Sequence, residues 1–303
     1  MITILCLAVL ECICGCSSSP PAKIVQRDRT FTETTIAAHT AFQQGRLDQA
    51  ATLYKLALKR AHALDQPSAI GDAAYNLAAC MLRLRKYDSA RTLLTEAHHE
   101  LARIDSHLAD ILLLQARTAY LAGDVNEAEI FIHQLRTGPE SQPLSEHLAQ
   151  CFILEGHIAC ERQDWSIAKE SLEQVRDYLQ PDPVASLQAH EAGLVGRIAS
   201  GTQDYQDAVK AFENQAELLR SAGHYSAIGS AIAEAGQAYL ALNKHELAAD
   251  CFYRAARNAA AWDDDTKAKE WALAAISAAR ETDDTIITRL VESLMSEITI
   301  DQP

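Results

Sequence analysis

Aromatic residues and backbone breakers are scarce in this chain of 303 residues. Phe, Trp and Tyr make up 6% of it, although hydrophobic residues make up 48%, and only 12 Gly and 8 Pro interrupt it. The cores of β-sheets are usually rich in aromatic and β-branched side chains, so this composition disfavours a β-protein. Abundant alanine instead favours closely packed helices.

Basic residues are also scarce, with 27 Lys and Arg against 41 Asp and Glu and a formal net charge of -14. Nucleic-acid binding needs clustered positive charge that displaces counterions from phosphates, so no nucleic-acid partner is expected. After residue 20, no apolar run approaches the roughly 20 residues that a membrane-spanning helix needs. No transmembrane helix is therefore expected in the body of the chain.

The chain also lacks the short motifs that mark common catalytic sites, such as GxGxxG, a P-loop, HExxH or GxSxG. The nearest approach to a metal cluster lies on one predicted helix and consists of His147, Cys151, His157 and Cys160. Successive residues of an α-helix turn by about 100°, so these four side chains cannot converge on one tetrahedral ion. A site from His157 and Cys160 alone would need ligands from elsewhere, and the alternative is a packed cysteine beside a histidine. No enzymatic activity, cofactor or metal is expected.

The N-terminus combines an apolar run, Ile2 to Leu10, with the sequence Ile13-Cys14-Gly15-Cys16. This stretch resembles the lipobox of bacterial lipoprotein signals, which is cleaved before a cysteine that is then acylated. The resemblance implies a signal peptide over residues 1–15, lipidation of Cys16, and a flexible tether over residues 16–30. The alternative is an apolar N-terminus whose cysteines have no such role.

A short pattern recurs six times with a period of about 40 residues. Each copy has an alanine at one fixed place, namely Ala50, Ala90, Ala128, Ala168, Ala208 and Ala248. Another small residue precedes each of these by 12 positions, namely Ala38, Ala78, Ala116, Gly156, Gly196 and Gly236. A large apolar residue follows each alanine by four positions, namely Tyr54, Leu94, Ile132, Leu172, Phe212 and Phe252. Small residues at two fixed places let the two helices of a unit approach closely, which predicts a helix-turn-helix repeat.

This pattern resembles the tetratricopeptide repeat (TPR), whose units have a small residue at position 8, Ala at position 20 and a large apolar residue at position 24. Gly45 and Gly123 occupy the inter-helix turn of that family at position 15. The family's period is 34 residues, so the extra residues here lengthen the second helix. The resemblance implies an all-α superhelical solenoid of about six repeats over residues 31–262. Residues 263–303 would then form capping helices and a tail, with helix starts at Asp263–Asp265 and Asp283–Asp284.

In TPR proteins the first helices of the units line a concave groove, and positions 2, 5, 9, 12 and 13 face into it. The predicted groove residues are polar, basic or aromatic members of positions 9 and 12, namely His39, Phe42, Arg117, Tyr120, His157, Arg197 and Gln237. The position 9 column contains no Asp or Glu, which predicts an acidic ligand contacted by Arg117 and Arg197. The aromatic rings of Phe42 and Tyr120 would supply apolar contacts. His39 and His157 are expected to strengthen binding below about pH 6.5, where imidazole becomes charged.

The resemblance implies a non-enzymatic scaffold whose partner is a protein or peptide, possibly acidic. Together with the lipobox, it favours a lipid-anchored protein of the bacterial cell envelope, facing the periplasm in a Gram-negative cell, that assists assembly of a larger complex. The membrane would then be a second partner, through the N-terminal anchor. The alternative is a soluble cytoplasmic TPR regulatory sensor that binds a signalling peptide.

Overall fold

The computed structural model describes residues 28–104, 108–138, 144–179, 184–282 and 284–300. Within them the chain forms fourteen α-helices and no strand, as the repeat pattern predicted. The helices are α1 (Arg29–Gln43), α2 (Leu47–Leu64), α3 (Pro67–Arg83), α4 (Tyr87–Ala102), α5 (Ala109–Leu121), α6 (Val125–Thr137), α7 (Ser145–Glu161), α8 (Trp165–Leu179), α9 (Ala185–Gly201), α10 (Tyr205–Ser221), α11 (Ile228–Ala241), α12 (His245–Ala260), α13 (Asp265–Arg280) and α14 (Thr285–Ile300). A single 3-10 turn, Tyr225–Ala227, precedes α11. The signal peptide predicted for residues 1–15 lies outside the described residues, as does Cys16.

Consecutive helices pack as pairs, and each pair is called a unit, from unit 1 (α1 and α2) to unit 7 (α13 and α14). All six fixed alanines are fully buried, and the six small residues that precede them are buried as well. The large apolar column from Tyr54 to Phe252 is also buried. The predicted register of the repeat is therefore confirmed, because the small residues lie where helices cross most closely.

Units 5 and 6 place a phenylalanine against a glycine. A Cβ atom added to Gly196 would lie 2.6 to 2.8 Å from three ring carbons of Phe212, and one added to Gly236 would lie 3.1 Å from the ring of Phe252. Unit 2 instead combines Ala78 with the smaller Leu94. In these three units the larger apolar residue therefore lies opposite the smaller of the two small residues.

Each turn between the helices of units 1 to 6 contains one residue with positive φ, between 55° and 88°. These residues are Gly45, Arg85, Gly123, Gln163, Gln203 and Asn243. The two glycines were predicted from the TPR resemblance, but the other four are L-residues that pay about 1 to 2 kcal/mol to adopt this conformation. The fixed geometry of the turn, rather than the local sequence, imposes it.

The first and last helices of the array begin at capping aspartates. Asp28 accepts a hydrogen bond of 2.8 Å from the backbone N–H of Phe31, so α1 begins at Arg29, within the segment predicted as tether. Asp264 accepts one of 3.1 Å from the N–H of Lys267 at the start of α13. Asp284 likewise accepts from backbone N–H groups at the start of α14. Asp264 and Asp284 thus cap the helices at the two predicted starts.

The two ends of the array meet, because the solenoid completes a full superhelical turn. In a stack of antiparallel helices, turns within units lie along one edge and turns between units along the other. Here the turns within units 1 and 2 contact two turns between later units. One of these joins unit 5 to unit 6, and the other joins unit 6 to unit 7. The contacts join Gly45 with Trp262, Arg83 with Ser226, and Arg85 with Asp264. We call these six residues the clasp.

Candidate ligand groove

Three first helices, α5, α7 and α9, surround a pocket of about 210 Å³ on the concave side of the solenoid. It brings together four of the seven predicted groove residues, Arg117, Tyr120, His157 and Arg197. The pocket is also lined by Leu121, Gln150, Ile153, Leu154 and His190. The 40-residue period places equivalent residues of neighbouring units side by side, which is why positions far apart in sequence converge here.

The five further lining residues lie at repeat positions 2, 5, 6 and 13. Gln150 and His190 both occupy position 2, Ile153 position 5, Leu154 position 6 and Leu121 position 13, counted from the small residue at position 8. The predicted groove residues came from positions 9 and 12 only, so these five were not predicted. All but Leu154 belong to columns that face the groove in TPR proteins, so the same pattern contained the signal.

Three other predicted groove residues lie away from this pocket. His39 is exposed on α1, and its nearest polar neighbour is Gln43, with Nε2 atoms 3.5 Å apart. Gln237 is exposed on α11. Phe42 was predicted as an apolar anchor for a ligand, but its ring lies 5.2 Å from the guanidinium carbon of Arg83, beside the clasp. A cation–π contact within the protein therefore already occupies one face of Phe42.

The two arginines of the pocket differ in their neighbours. Arg117 has no ion pair or hydrogen bond with any carboxylate that the structure describes. Its side chain is open to solvent in the groove but has protein on its other sides, and this burial lowers the pKa of the guanidinium. Arg197, in contrast, lies 3.6 Å from Oε1 of Glu234, with both side chains half exposed. The uncompensated positive charge of the pocket is therefore concentrated on Arg117.

Two acidic residues near the pocket, Glu161 and Asp110, have partners within the protein. Tyr120 donates a hydrogen bond of 2.5 Å from its hydroxyl to Oε1 of Glu161. Burial, reinforced by this carboxylate, raises the pKa of Tyr120 to about 12, so the phenol is neutral. Asp110 lies 3.0 Å from Nε2 of His147. Neither carboxylate is directed at Arg117, so the net charge of the chain does not neutralise the pocket.

His157 lines the pocket, and its Nδ1 is buried without a hydrogen-bond partner in the described part of the chain. Burial lowers the pKa of His157 to about 3, with further lowering by the charge of Arg197 and by His190. Burial and Arg117 likewise lower the pKa of His190 to about 4. Both rings are therefore neutral at pH 6.5. The expectation that His157 becomes charged just below that pH is wrong for the ligand-free groove, because its neighbours disfavour the imidazolium.

The predicted helix with His147, Cys151, His157 and Cys160 is α7, and its side chains have other partners. His147 accepts a 3.0 Å hydrogen bond from the backbone N–H of Leu144 at Nδ1 and faces Asp110 with Nε2. Both ring nitrogens of His147 are thus used within the protein. Burial raises the pKa of the Cys151 thiol to about 12, which disfavours the thiolate that binds metals. Across the described ranges, no group of three or more His, Cys, Asp or Glu is placed to hold a metal ion.

Comparison with known proteins identifies relatives in structure but not in sequence. No family model matches the chain, and no curated protein matches it in sequence. A Rap protein complexed with competence and sporulation factor has a TM-score of 0.57 and 12% identity, covering 90% of this chain and 99% of its own. The apo form of the quorum sensor NprR from B. thuringiensis has a TM-score of 0.54 and 13% identity, covering 88% of this chain and 87% of its own.

A third similar structure is that of a protein described as containing tetratricopeptide repeats. It is a signal transduction ATPase with numerous domains from Pyrococcus horikoshii, which carries a tetratricopeptide repeat sensor. Its TM-score is 0.54 at 12% identity, and the match covers 82% of this chain and 38% of that protein. At such identities the likeness establishes the fold alone, which is an all-α, TPR-like helical solenoid.

Proposed function

We propose that this chain binds an acidic peptide or protein segment in its concave groove, and that it acts through this binding rather than through catalysis. The observation that carries the proposal is Arg117, which is open to solvent in a pocket with apolar walls and has no carboxylate partner among the described residues. A carboxylate of the ligand would supply that partner. The planar guanidinium of Arg117 is suited to this because it can hold a carboxylate with two parallel hydrogen bonds.

The size and lining of the pocket suit one acidic side chain together with apolar neighbours. A volume of about 210 Å³ is below the range of about 300 to 1,000 Å³ typical of whole-ligand pockets, so the rest of the segment would lie along the first helices. Ile153, Leu154 and Leu121 provide apolar walls beside the charged groups. The net charge of -14 does not oppose this, because charges beyond a Debye length of about 8 Å are largely screened at physiological salt.

The structural relatives are consistent with a peptide or protein ligand. One was solved in complex with competence and sporulation factor, and another is a quorum sensor. Because fold does not determine function, these relatives support the class of function, and the residues of the pocket provide the specific argument.

Two short peptides that differ only in charge test the proposal. We expect a fluorescein-labelled peptide of alternating Glu and Leu residues to bind more tightly than its counterpart of Gln and Leu, as measured by fluorescence polarisation. A hydrogen bond to a charged group contributes about 1.5 to 3 kcal/mol, which corresponds to roughly ten- to hundredfold in the dissociation constant. The preference should shrink as salt is added. Equal affinity for the two peptides at low salt would contradict an acidic ligand.

We further propose that the groove works in the bacterial cell envelope, with the chain anchored through a lipid on Cys16 and assisting assembly of a larger complex. The resemblance of Ile13-Cys14-Gly15-Cys16 to a lipobox supports this anchor. Among the described helices, none has the length and hydropathy that crossing a bilayer requires. A cytoplasmic sensor of a signalling peptide would use the same groove, so the two possibilities differ in the anchor and not in the binding site.

The anchor predicts that Cys16→Ser abolishes membrane association and leaves the helical array folded. Cell fractionation measures the first effect, and far-UV circular dichroism of the purified protein measures the second. Cys14→Ser serves as a control, because a lipobox is acylated only on its final cysteine. If Cys16→Ser remains with the membranes, the chain has another anchor and the lipobox interpretation is wrong. If the parent chain never reaches the membranes, the cytoplasmic alternative is favoured.

A further inference from the structure

The clasp closes the solenoid through contacts that are individually weak. Arg83 donates a 3.0 Å hydrogen bond from Nη2 to Oγ of Ser226, and Nη2 of Arg85 lies 3.8 Å from Oδ2 of Asp264. Exposed ion pairs contribute about 0 to 1 kcal/mol, and a typical hydrogen bond about 0.5 to 1.5 kcal/mol. A closure of this strength can separate and reform without unfolding any unit.

The third clasp contact depends on the absence of a side chain. A Cβ atom added to Gly45 would lie 2.5 Å from Cε3 and 2.7 Å from Cζ3 of Trp262, so the indole packs directly on the turn of unit 1. Gly123 occupies the same turn position in unit 3 and also has positive φ, yet a Cβ there would meet nothing within 4 Å. Gly123→Ala therefore introduces the same backbone strain in a turn without touching the clasp, and it can serve as the control for Gly45→Ala.

The opposite side of the superhelix, around unit 4, is loosely packed. A cleft of about 640 Å³ opens between units 3 and 4, and one of about 590 Å³ opens between units 4 and 5. Ion pairs cross these clefts beside the apolar side chains that line them. The pairs are Arg136 with Glu155 at 2.8 Å, Arg162 with Glu129 at 3.0 Å, and Arg176 with Glu191 at 2.9 Å.

The apolar core divides at the same place. One large cluster of buried residues extends from α1 to α7, and a second extends from α9 to α14. Around α8, small separate clusters contain Val175 and Leu179 in one case and Ala168 and Leu172 in the other. A further small cluster, around Phe212, lies between α10 and α11 beside the second block. Two large blocks joined by a unit whose core is split into small clusters are the expected construction of a hinge, because bending there disrupts the least apolar contact.

The groove pocket lies on the inner side of this hinge. Its walls are α5, α7 and α9, which belong to units 3, 4 and 5, and the two clefts open between second helices of the same units. Bending at unit 4 would therefore change the spacing between Arg117, His157 and Arg197. The same bending would separate the clasp on the far side.

We propose that the solenoid is a closed ring that opens at the clasp by bending at unit 4, and that this opening admits the ligand to the pocket. The part that concerns the ligand rests on the proposed function. The ring, its clasp and its hinge rest on the contacts alone. Closure around a bound segment would slow its release, because dissociation would require the clasp to part again.

Small-angle X-ray scattering of ligand-free protein tests the clasp. Gly45→Ala should increase the radius of gyration and the maximum dimension, whereas Gly123→Ala should scatter as the parent does. Because the indole of Trp262 could rotate to accommodate a methyl group, a second variant attacks another contact. Arg85→Glu places a carboxylate opposite Asp264, and Lys86→Glu makes the same change of charge at a neighbouring exposed site. Scattering of both clasp variants that equals that of their controls would overturn the clasp.

Hydrogen exchange read by mass spectrometry locates the hinge in the same variants. We expect faster exchange in α7 and α8 of Gly45→Ala, and unchanged exchange in the second half of α4, where the buried Leu94 and Leu101 lie away from the clasp. An increase spread evenly over all units would overturn unit 4 as the hinge.

The acidic peptide of alternating Glu and Leu then tests the link to the groove. It should associate and dissociate faster with Gly45→Ala and Arg85→Glu than with their controls. Unchanged rates in variants that scatter as open rings would overturn ligand admission through the clasp. If the peptide binds neither parent nor variants, the proposed ligand is wrong, and scattering and exchange still decide the ring.

Discussion

The Phe212→Ala variant is expected to lose about 3 to 5 kcal/mol of unfolding free energy, measured by urea denaturation. Phe212 is almost completely buried and belongs to a cluster with Val209, Ala235 and Ala238, so it joins α10 to the next unit. Removing the ring deletes its apolar contacts and leaves a cavity that the fixed helix spacing cannot close. Leu56→Ala on α2 is the control, because Leu56 is largely exposed and its loss should matter little.

The effect of Gly196→Ala should change sign with the residue at position 212. In the parent, the new methyl group would overlap the Phe212 ring, and overpacking costs about 1 to 3 kcal/mol. That cost exceeds the gain of about 1 kcal/mol from replacing a helical glycine by alanine. In the Phe212→Ala background the overlap is gone, so the same change should stabilise. A double-mutant cycle measures the coupling, and additive effects would show that the two columns do not meet as described.

Replacing both pocket arginines should give the largest loss of binding. We expect Arg117→Gln with Arg197→Gln to remove most of the preference for the acidic peptide over its amide counterpart. Arg117→Gln alone should cost about 1.5 to 3 kcal/mol of binding free energy, or roughly ten- to hundredfold in affinity. Arg197→Gln alone should cost less, because Glu234 already compensates part of its charge. Fluorescence polarisation at fixed salt measures all three.

Stability and a matched arginine provide the controls for this prediction. Arg117 has no carboxylate partner among the residues that the structure describes, so its removal should leave the unfolding free energy unchanged or slightly raised. Arg220→Gln on α10 breaks an exposed pair with Glu217, outside the pocket, and should not alter peptide binding. A peptide that binds the double variant as tightly as the parent would place the binding face elsewhere on the solenoid.

The repeat register could be predicted from the sequence because close helix crossings impose it residue by residue. A position that tolerates only Ala or Gly in six successive units identifies a crossing wherever it lies in the chain. The convergence of Arg117, His157 and Arg197 follows from the same register, since all three occupy the same column of neighbouring units.

The curvature of the array could not be predicted in this way. The curvature determines which units line the same pocket. It places His39 and Gln237 outside the pocket formed by α5, α7 and α9. The contact of Arg83 with Ser226 spans 143 residues and arises only because the superhelix returns to its start. The neutrality of His157 was likewise hidden, because it depends on burial and on Arg197 and His190, which lie on the next unit. Sequence patterns indicate how adjacent helices pack, whereas these features depend on how all the units are arranged around the superhelix.

A ring has a fixed number of members. Open solenoids can gain or lose repeats during evolution, because each unit contacts only its neighbours and the ends remain free. In this chain the turn of unit 1 at Gly45 must meet Trp262 at the end of unit 6. If one 40-residue unit were duplicated, every interface between neighbouring units could still form. The extra unit would rotate Trp262 away from Gly45, however, so the two ends would no longer meet. The number of repeats is therefore constrained by closure, and relatives that conserve the clasp should also conserve the number of units.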